Sequence, residues 1–351
     1  MYLMVSHYSH MYKVCISCFT YNQAGYIVDT MNGFVMQETD FPFVATIVDD
    51  ASTDNAQQVI SRYFEKNFDI KDSSTAFQED TDYGKVLFAR HSINKNCFFA
   101  IVLLNENHYQ RKKKKTIYLS RWRDVAEYIA PCEGDDYWTD PLKLQTQVEF
   151  LDGHGEYSLC CHRYRIYNQR SDSWEKDYVH TLFDNHPEGF SFTRSDNLKT
   201  WITKTMTLMY RRDWLIEEEF QGYKYRCDEH LSYHLLSHGP GYCFPFVGAV
   251  YRRTDSGVFA SLPEKSKRMR GVLIRSELLG KNLSDNDLRD NVYSLIKKCL
   301  NKNCSLKGMM PPISICLKSY YLTEGFMASL RVAKKFLSSY IKGVFARIRV
   351  K

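Results

Sequence analysis

The sequence predicts an α/β protein with a mixed, mostly parallel sheet flanked by helices and a C-terminal helical extension. Three observations carry this. Two apolar runs, KVCISCF at residues 13–19 and FPFVATIVDD ending at Asp49-Asp50, are each followed by a stretch that suits a helix, which is the pattern of a βαβ unit with parallel strands. A later segment, YSLCCHRYRIYN, alternates as a strand of a mixed sheet does. From about Ser261 onward the pattern is helical to the end of the chain.

Each element follows in order. After the first strand, Tyr26, Ile27, Met31, Phe34 and Val35 recur at helical spacing. After the second, Ser52 or Thr53 is placed to cap a helix running to about Asn67. Residues 68–96 carry several acids and no firm period, and CFFAIVLL is a further strand. QRKKKK, residues 110–115, reads as a charged loop, with a helix from there to about Tyr128. The strand YIAPC, an acidic turn and a helix from Pro141 to about Leu151 come next. Residues 171–200 are polar and loop-like. TMTLMYRRDWL is a strand-to-helix piece, DEHLSYHLLSHG a helix and GYCFPFVGAVYRR a closing strand. The domain reading is 11–258 for the sheet domain and 259–351 for the helical extension. The first ten residues fit no element, and Met11 is a candidate start.

The net charge of +6 is unevenly placed. Residues 331–351 hold seven Lys or Arg and no acid, so the rest of the chain is close to neutral. A near-neutral body argues against a dedicated nucleic-acid binder. Eleven cysteines, an odd number set mostly in apolar segments, fit reduced, buried thiols in a cytoplasmic protein. Cys15-Ile-Ser-Cys18 and Cys160-Cys161-His162 have zinc-ligand residue types, but both read as strands and no second C-x-x-C exists. No apolar run reaches the ~18 residues of a bilayer span.

Chemistry points to the ends of strands. In open α/β sheets, ligands bind beyond the carboxyl ends of the strands. Asp49-Asp50 and Glu133, Asp135 and Asp136 both sit at such ends, and so share one rim. Helix capping would also account for the first pair, and a cap with a solvated turn for the second cluster. Three carboxylates beside a buried strand repel one another unless a cation compensates them, and hard oxygen ligands suit Mg²⁺ or Mn²⁺ bridged to a diphosphate.

The segments CISCFTYNQAGYI, IVDDASTD, YIAPCEGDDYWTDPLKLQTQVEFL and CDEHLSYHLLSHG, in this order and spacing, resemble a family 2 inverting glycosyltransferase of the GT-A, Rossmann-like fold. The similarity covers about residues 11–255 and is greatest to bacterial enzymes that build capsule or O-antigen polysaccharides. It implies that Thr20, Tyr21 and Asn22 surround the nucleotide and that Asp50 bonds the base. Glu133-Gly134-Asp135 stands where the family has Asp-x-Asp. Asp135 is then the metal ligand, Glu133 sits near the ribose or the ion, and Asp136 supports the metal or touches the sugar. Counting back from Gly239, the general base falls on Asp228, with Glu229 as the alternate; Cys227 stands where the family often has Glu. Trp138 is a candidate for sugar stacking, and Thr205 and Thr207 for acceptor contacts.

The resemblance implies a metal-dependent transfer from a nucleotide-diphosphate sugar, a UDP-sugar by family analogy, to a saccharide or lipid-linked saccharide acceptor in surface polysaccharide synthesis. The tail fits an amphipathic helix, since Leu330, Val332, Phe336, Leu337, Tyr340, Ile341, Val344, Phe345 and Ile348 are interleaved with cations. That suits peripheral contact with the anionic inner face of the cell membrane through residues 325–351, or packing on the body. A nucleotidyltransferase and a non-catalytic membrane-surface assembly protein are the alternatives. The first would want a Gly-rich, basic loop after the first strand, which TYNQAGY lacks.

Overall fold

The structure, a computed structural model, describes residues 12–220, 222–225, 227–254, 262–302 and 306–348; the reading of Met11 lies outside them. The chain opens with β1 (Tyr12–Thr20), α1 (Ile27–Val35), β2 (Phe43–Asp49) and α2 (Ala56–Asn67). There follow β3 (Phe77–Thr81), β4 (Gly84–Arg90), β5 (Cys97–Leu104), α3 (Ser120–Arg123), β6 (Ala126–Pro131), β7 (Tyr137–Trp138) and α4 (Lys143–Gly153). Next come β8 (Leu159–Asn168), β9 (Ser173–Lys176), β10 (Phe190–Phe192), α5 (Arg194–Lys199), β11 (Met209–Arg211), α6 (Asp228–His238) and β12 (Gly241–Arg253). Four helices close the described chain: α7 (Glu264–Lys281), α8 (Asn286–Asn301), α9 (Leu306–Glu324) and α10 (Phe326–Ile348).

Two compact units result. The first holds the chain up to Thr193, with Ile202–Leu215 and Leu235–Thr254; the second holds Arg194–Trp201, Ile216–His234 and the chain beyond Thr254. The expected division near residue 258 is linear, whereas the second unit also takes in these two earlier segments.

In the first unit the strands form one sheet in the order β10-β12-β8-β11-β6-β1-β2-β5-β4-β3. Its centre, β6-β1-β2-β5, is parallel, as is the β8–β12 pair, and the other pairs are antiparallel. The parallel part is thus narrower than the sequence reading. Every residue of β2 is buried, as befits a central strand covered on both faces. Ile27, Met31 and Phe34 turn one face of α1 into this core. Gly33 lets α1 close on β7: a Cβ there would stand 2.8 Å from the Trp138 backbone nitrogen.

Local expectations differ at several places. Neither Ser52 nor Thr53 caps α2; its N-cap is Asn55, with φ of 70° and no side-chain cap bond. Residues 116–128 form a 3-10 turn and the four-residue α3, and β6 begins at Ala126. Residues 68–96, without a period in sequence, contain the β3–β4 hairpin. The stretch 171–200 is less loop-like than its polarity suggests, since it holds β9, β10 and α5.

In the second unit, Val272, Leu278, Leu279, Leu288, Val292 and Ile296 of α7 and α8 pack with Val332 and Phe336 of α10. Asp285 caps α8 by accepting the Leu288 N–H at 2.9 Å. No helix of the described residues is long and apolar enough to cross a membrane. All ten cysteines of the described residues are free, and nine of them are buried.

Candidate functional site

The parallel register sets the rim. Thr20 lies opposite Asp49, Asp49 opposite Leu103, and Ser17 opposite Pro131, so β1, β2, β5 and β6 end on one side of the sheet. The chain turns sharply there: Asn22, Ala51 and Asn55 all have positive φ, and for Ala51 at 58° this is strained backbone. Side chains lace the two turns together. The Asn22 N–H donates to Ser52 Oγ at 2.8 Å, the Thr53 N–H donates to Asn22 Oδ1 at 2.8 Å, and the Ala24 N–H donates to Asp54 Oδ2 at 2.8 Å. Tyr21, 37% exposed, is left at the surface of this turn.

The two carboxylates at the end of β2 have different jobs. Asp49 accepts from the Ser52 N–H at 2.9 Å, from the Ser52 hydroxyl at 2.5 Å and from Gln57 Nε2 at 2.8 Å. Burial raises its pKa against these bonds. Asp50 accepts the His108 N–H at 2.7 Å, the Tyr109 N–H at 3.2 Å and Lys115 Nζ at 3.0 Å. Its side chain is 1% exposed. In this arrangement the Asp50 carboxylate holds the basic loop against the rim.

The acidic turn is clamped to the same place. The Gly134 N–H donates to the Phe19 carbonyl at 3.1 Å, and the Thr30 hydroxyl sits 2.6 Å from the Asp136 carbonyl oxygen and 3.0 Å from that of Gly134. A Cβ on Gly134 would meet Gln23 Oε1 at 2.6 Å and Thr20 Cβ at 2.7 Å, so the turn rests directly on the end of β1. Glu133 is exposed, Asp135 half-buried and Asp136 buried. Burial pushes the Asp135 carboxyl up, while Arg252, Gln23 and Lys204 draw it down. Asp136 lies well above its ordinary value, through burial first and the neighbouring Asp135 second.

Arg252, at the end of β12, organises this turn. Its backbone N–H donates to Asp136 Oδ1 at 2.8 Å, and its Nη2 pairs with Asp29 Oδ2 at 2.7 Å. The guanidinium lies 4.8 Å from the Tyr26 ring centroid and 4.9 Å from that of Tyr137. Its Nε and Nη1 are buried without a hydrogen-bond partner among the described residues, a cost that a ligand oxygen would offset. Lys204 Nζ stands 3.8 Å from the Tyr251 ring centroid, and its charge acts on both acids.

The remaining sequence candidates fall in other settings. Trp138 is 1% exposed; its indole N–H donates to the Met206 carbonyl at 2.8 Å, and its ring packs on Phe34 and under Lys143. It is a core residue, so the expectation of sugar stacking is corrected: no face of the ring is open. Thr207 is fully buried and donates to the Lys204 carbonyl at 2.7 Å, which removes it as an acceptor contact, whereas Thr205 is half-buried. Asp228 and Glu229 belong to the second unit. Asp228 opens α6, and its Oδ1 accepts the Glu229 N–H at 3.1 Å. Glu229 pairs with Arg275 Nε at 2.8 Å, and Arg275 also donates to Asn291 Oδ1 at 2.6 Å. Burial raises the Glu229 pKa and Arg275 lowers it. Glu229 is a strut of the second unit, and both acids are half-buried.

Sequence reasoning did not find Gln23, Lys204 or Arg252, and it read Lys115 as part of a charged loop. Arg252 carried one signal, a cation at the end of a closing strand. The other three depend on contacts between distant segments.

Among the described residues, no group of three or more His, Cys, Asp or Glu could hold a metal ion. The described residues therefore build no closed cage. Asp135 with exposed Glu133 fits the open kind of site in which substrate phosphates and water complete the shell of a hard cation. Cys15, Cys18, Cys160 and Cys161 are buried in the sheet with thiol pKa values raised by burial, which suits structural thiols rather than zinc ligands.

No known family profile matches the chain. Uncharacterized proteins of Mycobacterium bovis and Mycobacterium tuberculosis are 37% identical over 147 residues, which is 42% of this chain. The chain spans about a third of the length of these curated relatives, 34%. Among solved structures, S. aureus TarS residues 1–349 in complex with UDP has a TM-score of 0.59 at 14% identity, covering 97% of this chain and 92% of that one. The same protein with UDP-GlcNAc gives 0.58 at 14%, covering 95% and 92%. A mannosyltransferase of Pyrobaculum calidifontis in complex with GDP-Man and Mn²⁺ gives 0.50 at 14%, covering 96% and 86%. The chain has the GT-A fold that these structures share.

Proposed function

We propose that the protein is a family 2 inverting glycosyltransferase. It moves a sugar from a nucleotide-diphosphate donor, a UDP-sugar, to a hydroxyl of a saccharide or lipid-linked saccharide in surface polysaccharide synthesis. The work would be done at the inner face of the cell membrane. The observation that carries this reading is the contact of the acidic turn with the turn after β1. Gly134 leaves no room for a Cβ against Thr20 and Gln23, so the acids and the Thr20–Asn22 turn form one rim. Two of the GT-A structures of similar fold are complexes with UDP and UDP-GlcNAc, and a third holds GDP-Man and Mn²⁺.

The residues take these roles. Thr20, Tyr21 and Asn22 meet the nucleoside, with the Tyr21 ring available to stack on the base. Asp50 acts on the base through the loop it holds, which presents Tyr109 and Lys115. Asp135, helped by Glu133, holds Mn²⁺ or Mg²⁺, which neutralises charge on the leaving diphosphate when bound. Arg252 offers the unbonded N–H groups of its Nε and Nη1 to a diphosphate oxygen. Asp136 holds the turn through the Arg252 N–H, and Thr205 faces the acceptor. Asp228 accepts the proton of the acceptor hydroxyl as that oxygen attacks the anomeric carbon opposite the leaving group. One base suffices, because inversion in one displacement needs no second carboxylate on the other face.

The test is release of nucleoside diphosphate from a panel of sugar donors, with an acceptor extract present. Asp228→Asn should lower kcat by roughly 10²–10⁴-fold and leave donor affinity intact. Glu229→Gln should keep turnover. Full turnover in Asp228→Asn would place the base elsewhere, and no release from any donor would sink the reading.

A further inference from the structure

Helix α10 carries two apolar faces, and among the described residues only one of them is buried. At ~100° per residue, Ala328, Val332 and Phe336 fall on one side and are buried. Val332 and Phe336 join the core of the second unit, with Tyr340 packed against it. Phe326, Leu330, Leu337 and Ile341 fall on the opposite side at spacings of four, seven and four residues. They are 65, 39, 60 and 44% exposed. At the α9–α10 corner, turned by Gly325 at φ of 87°, Tyr321 and Leu322 add exposed apolar surface. Isolated exposed apolar residues are ordinary; an aligned stripe with a partner-free outer face is not.

Charge identifies what fits it. Lys334, Arg331, Lys342 and Lys335 are exposed and fan out along one flank of the stripe. None of the four makes an ion pair among the described residues. No acid occurs in residues 325–351, and the last acid before them, Glu324, is held by Arg289 at 2.8 Å. An apolar stripe bordered by unpaired cations matches a surface that is anionic at its face and apolar just beneath. That is the headgroup and upper acyl layer of an anionic bilayer. We propose that the outer face of α10 docks on an anionic lipid surface, with Leu330, Leu337 and Ile341 entering the acyl boundary and Arg331, Lys334, Lys335 and Lys342 meeting the lipid phosphates. The sequence alone merged the two faces into one; Val332, Phe336 and Tyr340 are committed to the core and cannot face lipid. The proposal does not depend on the transferase reading.

The experiment is sedimentation of the full chain with large vesicles, either of phosphatidylcholine alone or with about 30% phosphatidylglycerol. Binding should need the anionic lipid and weaken steeply in high salt. Leu330→Gln/Leu337→Gln keeps good helix formers at exposed positions and should lower the partition coefficient about tenfold or more. Lys334→Gln/Lys335→Gln should do likewise, which covers the case in which the first variant fails to fold. Ile93→Gln, at an 85% exposed residue of the first unit, should bind as wild type does. The proposal is overturned if the wild type ignores anionic vesicles or binds both kinds equally. It is overturned too if both double variants bind unchanged. A dimer in the absence of lipid, lost in the leucine variant and accompanied by no vesicle binding, would instead assign the face to a second copy of the chain.

Discussion

Replacing Gly134 by Ala probes the contact on which the functional reading rests. The glycine is not in the left-handed region, so conformation is not what demands it; space is. The added methyl would stand 2.6 Å from Gln23 Oε1, 2.7 Å from Thr20 Cβ and 2.7 Å from Thr20 Oγ1. Carbon contacts normally begin near ~3.5 Å, so something must move by about 0.8 Å. The Gln23 amide can swing away. Thr20 cannot, because it ends β1 in register with Asp49. The acidic turn must yield, carrying Asp135 with it. A shift approaching 1 Å at a positioning group lowers a rate by about 10²-fold. Overpacking of this kind destabilises by roughly 1–3 kcal/mol, or several degrees in Tm. The assay is kcat for nucleoside diphosphate release beside a melting curve, with Gly153→Ala as the control because nothing lies within 4 Å of its Cβ position. A Gly134→Ala protein that turns over within about twofold of wild type would refute the argument that this contact sets the site.

Three further outcomes are expected. Lys143 is fully buried, bonded to Gln147 Oε1 at 2.7 Å and 4.1 Å from the Trp138 ring centroid, and burial lowers its pKa from 10.5 to about 7. Above pH 7 the unfolded chain then holds a proton the folded one lacks, so this residue makes stability rise with pH by up to about 1.4 kcal/mol per unit until the unfolded lysine titrates. Urea unfolding at pH 7 and pH 9 should show that rise, and Lys143→Met should flatten it. Arg275→Met leaves half-buried Glu229 without its cation and should destabilise by about 2 kcal/mol, with Arg275→Met/Glu229→Met recovering much of the loss in thermal melts. Lys115→Met takes the ammonium from buried Asp50 while the His108 and Tyr109 N–H bonds remain, and should weaken nucleotide binding about tenfold, read by calorimetry, and lower the melting point by a few degrees.

The parts of the fold that were legible in sequence are those whose cause is local. β1, β2 and β5 are continuous apolar runs because they lie at the covered centre of the sheet, and α1 shows its buried face as a helical period. The clustering of Glu133, Asp135 and Asp136 after β6 was readable for the same reason: the run ends where the acids begin. What could not be read depends on distant partners. β3 exposes most of its residues at the sheet edge and so has no apolar pattern. Ser52 looks like a helix cap until Asp49 and Asn22 claim its hydroxyl. Leu119 and Trp122 suggest a helix beyond residue 116, yet two buried residues there serve a short turn that leads into β6. Trp138 looks available for a sugar until Met206, far along the chain, takes its N–H. The second unit's use of Arg194–Trp201 and Ile216–His234 is likewise set by packing with helices late in the sequence.

The most direct test of the central claim is a calorimetric titration of the purified chain with UDP, dTDP and GDP, with and without Mn²⁺. The account predicts that UDP binds, that binding tightens about tenfold or more when Mn²⁺ is present, and that Asp135→Ala removes the metal's effect while the protein stays folded. Failure of every nucleotide to bind, in either condition, would contradict it.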